Sequence, residues 1–173
     1  NNSKYVLFQF HQWTDKHPQG VLKEVIGDTT QIQSFYDYTI YGKDLQVSLK
    51  TFQHSVYKQL KERQITKDIC NTYFLEDHTN RNVFTIDPEN CEDFDDAISI
   101  YKQNQLTIYI ANVPIMIDFL NVWKEMTSRV ATIYMPHKKF HMLPPNLSEG
   151  ICSLLQKELR VAIACTIHFT NDN

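Results

Sequence analysis

The chain has 173 residues, 42% of them hydrophobic and 21% charged, which suits one domain or parts of two. Its 17 basic and 20 acidic residues give a net charge of -3, which excludes a polybasic protein that holds nucleic acid by bulk charge. Its four glycines form neither a GxGxxG nor a GxxxxGKS/T motif, so the common glycine-rich phosphate-binding loops are also excluded.

The cysteines are few and widely spaced, with no CxxC pair. They are Cys70, Cys91, Cys152 and Cys165. This density is too low for a disulfide-stapled secreted domain, so we expect reduced thiols and an intracellular, reducing compartment, without a choice between cytoplasm, nucleus and mitochondrion. No apolar run approaches the roughly 20 residues that span a membrane, so no membrane partner is expected.

The first part of the chain, over residues 5–40, is predicted to form short β segments. Strands are predicted over 5–10 and 21–26, with a Pro-Gly turn between them and a stop at Gly27-Asp28. Because two strands alone are marginally stable, we expect them to be the end of a larger β domain.

Residues 43–69 have the periodicity of a helix. The apolar residues that line one face are Leu45, Leu49, Phe52, Val56 and Leu60. Asp44 is placed as an N-cap, and lysines concentrate toward the C-terminal end, where they suit the helix dipole. The sequence favours a linker helix with a solvated basic face, and leaves open a minor RNA-facing patch.

The third part, from residue 81 onward, is β-rich. Strands are predicted over 83–86, 98–101 and 106–111, a helix over 118–132, and a long strand over 159–169. In that last strand, alternate residues from Val161 to Phe169 place their apolar side chains on one face. The chain then ends in a turn-like composition over 170–173, and we expect the domain to be cut there.

An acidic segment, TIDPENCEDFDD over residues 85–96, is the most informative feature. Asp87, Asp93, Asp95 and Asp96 crowd between two predicted strands and would repel each other strongly. Divalent cations relieve such repulsion, and carboxylates suit Mg²⁺ or Mn²⁺. A solvated acidic turn and a loop that merely buffers Ca²⁺ are the alternatives, although an EF-hand is disfavoured because the central Gly and the Glu at position 12 are missing.

The wider sequence resembles one family. TIDPENCEDFDDAISI resembles the signature of the RNB domain of ribonuclease II/R and exosome-associated exoribonucleases, with the four aspartates at matching spacing. Downstream, IANV at 110–113, RVATIYMP at 129–136, MLPP at 142–145, LS at 147–148, ICSL at 151–154 and Arg160 resemble further family motifs in order. Residues 18–27 resemble, more weakly, the close of a cold-shock OB-fold that precedes RNB.

Three positions depart from the family pattern. Asn112 replaces a usual Asp, Tyr109 stands where a His is common, and the stretch 77–81 only partly matches R-x-D-L-R. These departures concern the substrate channel that the resemblance implies, whereas all four aspartates are present.

The resemblance implies an α+β fold in three parts. These are the β-rich end of an OB-like cold-shock domain over 1–40, a helical linker over 41–82, and the N-terminal half of an RNB-type mixed sheet with helices over 83–173. The implied activity is processive 3′→5′ hydrolysis of single-stranded RNA to nucleoside 5′-monophosphates, with Mg²⁺, or alternatively Mn²⁺, as cofactor.

The roles of single residues also follow from the resemblance. Asp87 and Asp96 would coordinate metal and Asp93 would support the cluster. Asp95 would be indispensable, either by holding a second metal, by positioning the water, or both, so all four count as catalytic and metal residues. RNA would be bound by a stacking tyrosine and basic neighbours, which are Tyr134, Arg129, Lys138 and Lys139.

We expect the chain to be part of an enzyme and inactive alone, because the arginines that contact the scissile phosphate in this family lie beyond the segment. The expected partners are single-stranded RNA, the remainder of the RNB domain and an exosome-like or degradosome-like complex. The alternative is a non-catalytic RNA-binding or scaffold module that retains the RNB fold.

Overall fold

The computed structural model describes residues 3–62, 65–101, 104–126 and 130–170. It is a mixed α/β structure with antiparallel sheets, and it divides into two compact units. We call residues 3–48 and 130–140 the hairpin unit, and the other described residues the sheet unit. The elements in chain order are β1 Lys4–Gln12, β2 Gln19–Asp28, α1 Ile32–Gly42, α2 Lys50–Glu62, α3 Ile65–Tyr73, β3 Val83–Phe84, β4 Asp96–Tyr101, β5 Gln105–Ala111, α4 Val113–Phe119, β6 Ile133–Met135, β7 Lys138–Phe140, a π-helix Asn146–Ile151 and β8 Ala162–His168.

The hairpin unit is built on the antiparallel pair β1–β2, whose side chains are almost all exposed. Helix α1 packs against it, with Tyr38 stacked on Tyr5 at 4.6 Å between ring centroids. Gly27 has φ 158°, and a Cβ there would lie 2.2 Å from Ser34 Oγ of α1. A side chain at residue 27 would therefore push the helix off the hairpin, so this close approach requires glycine.

The sequence prediction of short β segments up to residue 40 is wrong for α1. The segment is rich in aromatic and β-branched residues, which favour strands by propensity. In the structure it is a helix in which Ser34 and Ile40 are buried while its other residues remain accessible, so tertiary packing outweighs strand propensity here. The OB-like domain and the three-part division at residues 40 and 82 stay predictions.

The sheet unit contains a four-stranded antiparallel sheet in the order β3-β4-β5-β8. Its main core lies beside the sheet, among α2, α3, α4 and the segment 143–161. The fully buried members of this core include Phe52, Val56, Ile69, Ile117 and Leu147. This core holds the helices against the stretch of chain that leads into β8.

The long helix predicted over 43–69 corresponds to α2 and α3, and residues 63–64 between them lie outside the described part of the chain. Asp44 is not an N-cap, because it has φ 55° in the turn after α1, and helix α2 begins at Lys50. The predicted apolar face is confirmed for Phe52 and Val56, which are buried in the core, whereas Leu45 lies outside the helix.

The helix predicted over 118–132 is also misplaced. Helix α4 instead begins at Val113, where Asn112 Oδ1 accepts a hydrogen bond from the Ile115 amide at 3.2 Å and Pro114 occupies the first turn. The chain leaves the helix at Asn121, with φ 55°, and makes only a short 3₁₀ turn at Trp123–Glu125. Residues 127–129 lie outside the described part of the chain.

The two faces of the sheet have opposite character. The face that carries Ser99, Thr107 and Tyr109 is buried, whereas the apolar face is exposed, with Ile100 65% accessible and Ile167 on the same cross-strand row. The alternation predicted for the last strand is therefore confirmed, but of its apolar residues only Val161 lies in the core, and the strand is shorter, from Ala162 to His168. Across the described ranges, no helix has the length and apolar character needed to cross a membrane.

Candidate functional site

The acidic segment forms a compact loop between β3 and β4. Asp87 follows β3, Asp93 and Asp95 lie in the loop, and Asp96 is the first residue of β4. The loop turns where the Cys91 amide donates to the Pro88 carbonyl at 3.2 Å, with Asn90 at φ 68°. Asparagine tolerates this left-handed conformation better than most residues, so the local sequence suits a tight turn here.

A buried serine from the other end of the sheet unit holds this loop. Ser153 Oγ accepts a hydrogen bond from the Phe94 amide at 3.0 Å and lies 3.4 Å from the Glu92 carbonyl. The Leu154 amide donates to the Phe94 carbonyl at 2.9 Å, and Asp95 is joined to β5 through its carbonyl and the Ala111 amide. The backbone on both sides of Asp95 is thus fixed by hydrogen bonds.

Arg160, which lies far downstream of the acidic loop in the sequence, supports the same junction. Its Nε donates to the Ser153 carbonyl at 2.8 Å, and its Nη1 donates to the Leu159 carbonyl at 3.0 Å. Burial raises the pKa of the neighbouring Cys152 thiol to about 12, an effect that the Arg160 charge opposes and the Asp95 charge increases. The segment 152–160 therefore positions the acidic loop, a role that sequence reasoning did not assign to Ser153.

Three of the aspartates act electrostatically on the fourth, Asp95. Burial raises the pKa of the Asp95 carboxyl, and the charges of Asp93, Asp96 and Asp87 raise it further. In addition, Asp87 Oδ2 is buried without a hydrogen-bond partner among the described residues. Crowded carboxylates with an unsatisfied buried oxygen are a chemical environment that a cation would stabilise.

The four carboxylates have the chemistry that a hard divalent cation prefers, but they do not form a preformed site. All four side chains offer only carboxylate oxygens, the ligands that Mg²⁺ and Mn²⁺ prefer. Within the described ranges, however, no three His, Cys, Asp or Glu side chains converge closely enough to hold one ion. The chemistry of the loop suits a metal, and side-chain rotation would have to complete the site.

Three of the residues predicted to bind RNA lie in the hairpin unit. Tyr134 in β6 is 67% exposed and faces Lys139 of β7, whose Nζ lies 5.8 Å from the tyrosine ring centroid. Lys138 makes an ion pair with Asp37 at 2.7 Å, so part of its charge is compensated within the unit. Arg129, the fourth predicted residue, lies outside the described part of the chain.

The departures from the family pattern have structural roles. Tyr109 OH lies 3.1 Å from both His78 Nδ1 and Ser99 Oγ, which makes a hydrogen-bonded group of three on the buried face of the sheet. Arg81 Nη1 donates to Thr107 Oγ1 at 3.0 Å on the same face. These contacts attach the segment before β3 to the sheet, so they serve its stability rather than the aspartate loop.

Comparison with known proteins agrees with these observations. The family model described as "RNB domain" matches residues 75–173. The chain belongs to the RNB family. This RNB chain is 38% identical over 99 residues to "Ribonuclease R" of Mycoplasmopsis pulmonis, which covers 55% of the chain and 13% of that protein. It is 35% identical over 149 residues to "Exoribonuclease 2" of Psychromonas ingrahamii, which covers 84% of the chain and 21% of that protein.

A solved structure shows the same fold. Mycoplasma genitalium RNase R in complex with double-stranded RNA superposes with a TM-score of 0.75 at 20% identity, over 96% of this RNB chain and 30% of that chain. The chain therefore spans less than a third of the solved protein, and about an eighth to a fifth of the two relatives. The match to the fold includes both units rather than the RNB segment alone.

Proposed function

We propose that this chain supplies the aspartate half of the active site of a metal-dependent 3′→5′ exoribonuclease. The observation that carries the proposal is the electrostatic convergence of three aspartates on Asp95, at a loop whose backbone is fixed by Ser153. Such a cluster is costly for a fold unless it serves a cation, because like charges raise the pKa of one another. Relatives named ribonuclease R and exoribonuclease 2 support the nuclease assignment.

In this proposal the carboxylates of Asp87, Asp93, Asp95 and Asp96 hold Mg²⁺, or alternatively Mn²⁺. When bound, the metal would supply an activated water and stabilise the leaving oxygen of a phosphodiester. The chain's own contribution is to hold Asp95 close to the neighbouring aspartates, although this raises its pKa, and to prevent the loop from relaxing away from β4. Fixed hydrogen bonds at Phe94 and Leu154 provide that rigidity.

Single-stranded RNA is the proposed substrate. Tyr134 offers an exposed ring on which any base can stack, a contact worth about 1–3 kcal/mol without base preference. Lys139, Lys138 and Arg129 would contact phosphates. One solved RNase R complex holds double-stranded RNA and another holds ribose methylated single-stranded RNA. The choice of single-stranded RNA as substrate follows from the family resemblance and from this stacking residue.

We further propose that catalysis requires the remainder of an RNB domain. The exposed apolar face of the sheet, which includes Ile100, Ile163 and Ile167, is the surface that such a remainder would cover. The isolated chain is expected to lack hydrolysis, since no described arginine lies within the acidic loop to stabilise charge at the phosphate. Association with an exosome-like or degradosome-like complex stays a prediction.

The test is a chimera in which this chain replaces its 149-residue counterpart in exoribonuclease 2 of Psychromonas ingrahamii. We expect it to degrade single-stranded RNA with Mg²⁺ and to spare it with EDTA. Asp95→Asn should lower hydrolysis by orders of magnitude and retain RNA affinity, whereas Glu89→Gln, which removes one exposed charge from the same loop, should have little effect.

Two results would contradict this proposal. Near-normal hydrolysis by the Asp95→Asn chimera would refute the role of Asp95. RNA binding without hydrolysis by the unsubstituted chimera would instead indicate the non-catalytic scaffold. Tyr134→Ala should weaken RNA binding or change the length of the final product, and Tyr134→Phe should restore both, because phenylalanine keeps the stacking ring.

A further inference from the structure

Helix α2 carries a basic and aromatic face that the proposed active site does not use. Phe52 and Val56 turn one side of the helix into the core. On another side, residues spaced by three or four positions are all exposed, and we call them the α2 patch. Its members are Lys50, Gln53, His54, Tyr57 and Lys61.

The segment that contains helix α2 is net basic, whereas the whole chain is net acidic. Residues 43–67 contain six basic and two acidic residues, although the chain has a net charge of -3. Tyr57 is 51% exposed, and Lys61 Nζ lies 4.5 Å from the centroid of its ring. A cation above an exposed aromatic ring combines a phosphate contact with a stacking surface in one place.

The patch also borders a groove. A cavity of about 330 Å³ is lined by Lys50, Gln53, His54, Tyr57 and Asn146, which is the lower end of the range for small-ligand sites. Asn146 Nδ2 donates to the Gln53 carbonyl at 3.3 Å, while its Oδ1 is buried and has no hydrogen-bond partner within the described ranges. A buried acceptor without a partner is costly, so a ligand N–H would be bound favourably once rotation of the Asn146 side chain turned this oxygen toward the groove.

The groove is connected to the acidic loop by one short helix. Asn146 begins the π-helix Asn146–Ile151, and Ser153, which holds the Phe94 amide, follows two residues after its end. A helix of six residues is roughly 9 Å long or shorter. One extended RNA strand could therefore contact both the groove and the loop that carries Asp95.

We propose that the α2 patch binds a nucleotide of single-stranded RNA, with a base stacked on Tyr57, phosphates contacted by Lys50 and Lys61, and a base edge at Asn146. This inference rests on the proposed function, because it takes RNA as the ligand. An ordinary solvated basic helix would explain the charges but not the exposed ring or the groove with its unsatisfied amide. An acidic peptide would use the lysines but would leave the ring and the amide without a role.

The experiment measures binding without hydrolysis. The full 173-residue chain carrying Asp95→Asn is titrated against a short oligouridine labelled at its 3′ end, and fluorescence anisotropy reports the affinity. Tyr57→Leu should weaken binding about 5- to 150-fold, as expected for loss of one base stack, while Tyr57→Phe should stay within about twofold. Both substitutions are on the surface, so the far-ultraviolet circular dichroism should not change.

Charge contacts are tested by salt dependence. Lys50→Gln combined with Lys61→Gln should reduce the slope of log affinity against log salt by about 1.4, since each single-strand phosphate contact contributes about 0.7. Lys67→Gln, the same charge change on α3, is the control and should alter neither slope nor affinity by more than a small amount.

Three outcomes would overturn the proposal. These are an unchanged affinity with Tyr57→Leu, no affinity of the full chain for the oligouridine, or a polyglutamate peptide that binds as tightly and loses affinity equally in all variants. The proposed nuclease function is judged separately, by hydrolysis in the chimera and its loss with Asp95→Asn. A failure of either proposal is therefore distinguishable from a failure of the other.

Discussion

Substitution of Ser153 by alanine tests whether one buried hydroxyl holds the acidic loop. The side chain is 1% exposed, and its Oγ accepts from the Phe94 amide at 3.0 Å. Alanine would leave that amide without its partner in a place that water does not readily reach. An unsatisfied buried donor costs about 1–3 kcal/mol, so Ser153→Ala should lower the free energy of unfolding by about that amount.

The second contact of Ser153 adds little to this estimate. Its distance to the Glu92 carbonyl is 3.4 Å, at the long end for a hydroxyl hydrogen bond. The larger consequence is for the loop itself, because the Phe94 amide is the neighbour of Asp95. We therefore expect faster hydrogen exchange at Phe94 and a weaker affinity for Mn²⁺ in addition to the loss of stability.

The assay is urea denaturation followed by circular dichroism, together with amide exchange measured by NMR. Ser55→Ala is the matched control, since Ser55 Oγ lies 3.4 Å from Glu125 Oε1 and its loss should change stability by less than about 0.5 kcal/mol. The reasoning is wrong if Ser153→Ala unfolds like the control and leaves exchange at Phe94 at its original rate.

Three further predictions follow from burial and charge. Because the folded state raises the pKa of Asp95, ionisation of this carboxyl lowers the free energy of unfolding. This loss is absent in acid and complete once the pH has risen through the folded pKa. Asp95→Asn should therefore increase stability at neutral pH, with a gain that shrinks on acidification, and destabilisation in urea titrations at neutral pH would contradict this. With its pKa near 12, Cys152 should resist iodoacetamide in the native chain while the exposed Cys165 reacts, and equal labelling by mass spectrometry would refute the burial argument. Phe52→Ala should cost about 3–5 kcal/mol in urea unfolding, against less than about 0.5 kcal/mol for Phe74→Ala at a 92% exposed position, and similar costs would show that Phe52 is not a core residue.

The strands of the β1–β2 hairpin and of the four-stranded sheet, together with the acidic loop, could be predicted from the sequence because they depend on local patterns, whereas β6 and β7 were missed. Runs of apolar and β-branched residues identified the segments around Ile98 and Ile108, and charge density located the aspartates. Helix α1 was missed since its aromatic residues favour strands until tertiary burial of Ile40 decides otherwise. Helix α4 was misplaced because its start depends on one cap, Asn112, which periodicity does not detect.

The hydrogen bonds that hold the candidate site could not be predicted from the sequence, for a different reason. Ser153 and Phe94 are 59 residues apart along the chain, so no local pattern links them. The motif around Ser153 marked the segment as part of the family resemblance without indicating a role. The exposure of the apolar sheet face was equally unpredictable, since alternation shows that two faces differ but not which of them is covered.

The hydrogen-bonded group of Tyr109, His78 and Ser99 constrains the evolution of the sequence at these three positions. A histidine at position 109 would be shorter than tyrosine and could not reach both partners at once, so a single exchange would leave polar groups unpaired on the buried face. The three positions are therefore expected to covary across relatives. A histidine at 109 should be accompanied by a different residue at 78 or 99, and a protein that mixes the two sets should fold less stably than either parent.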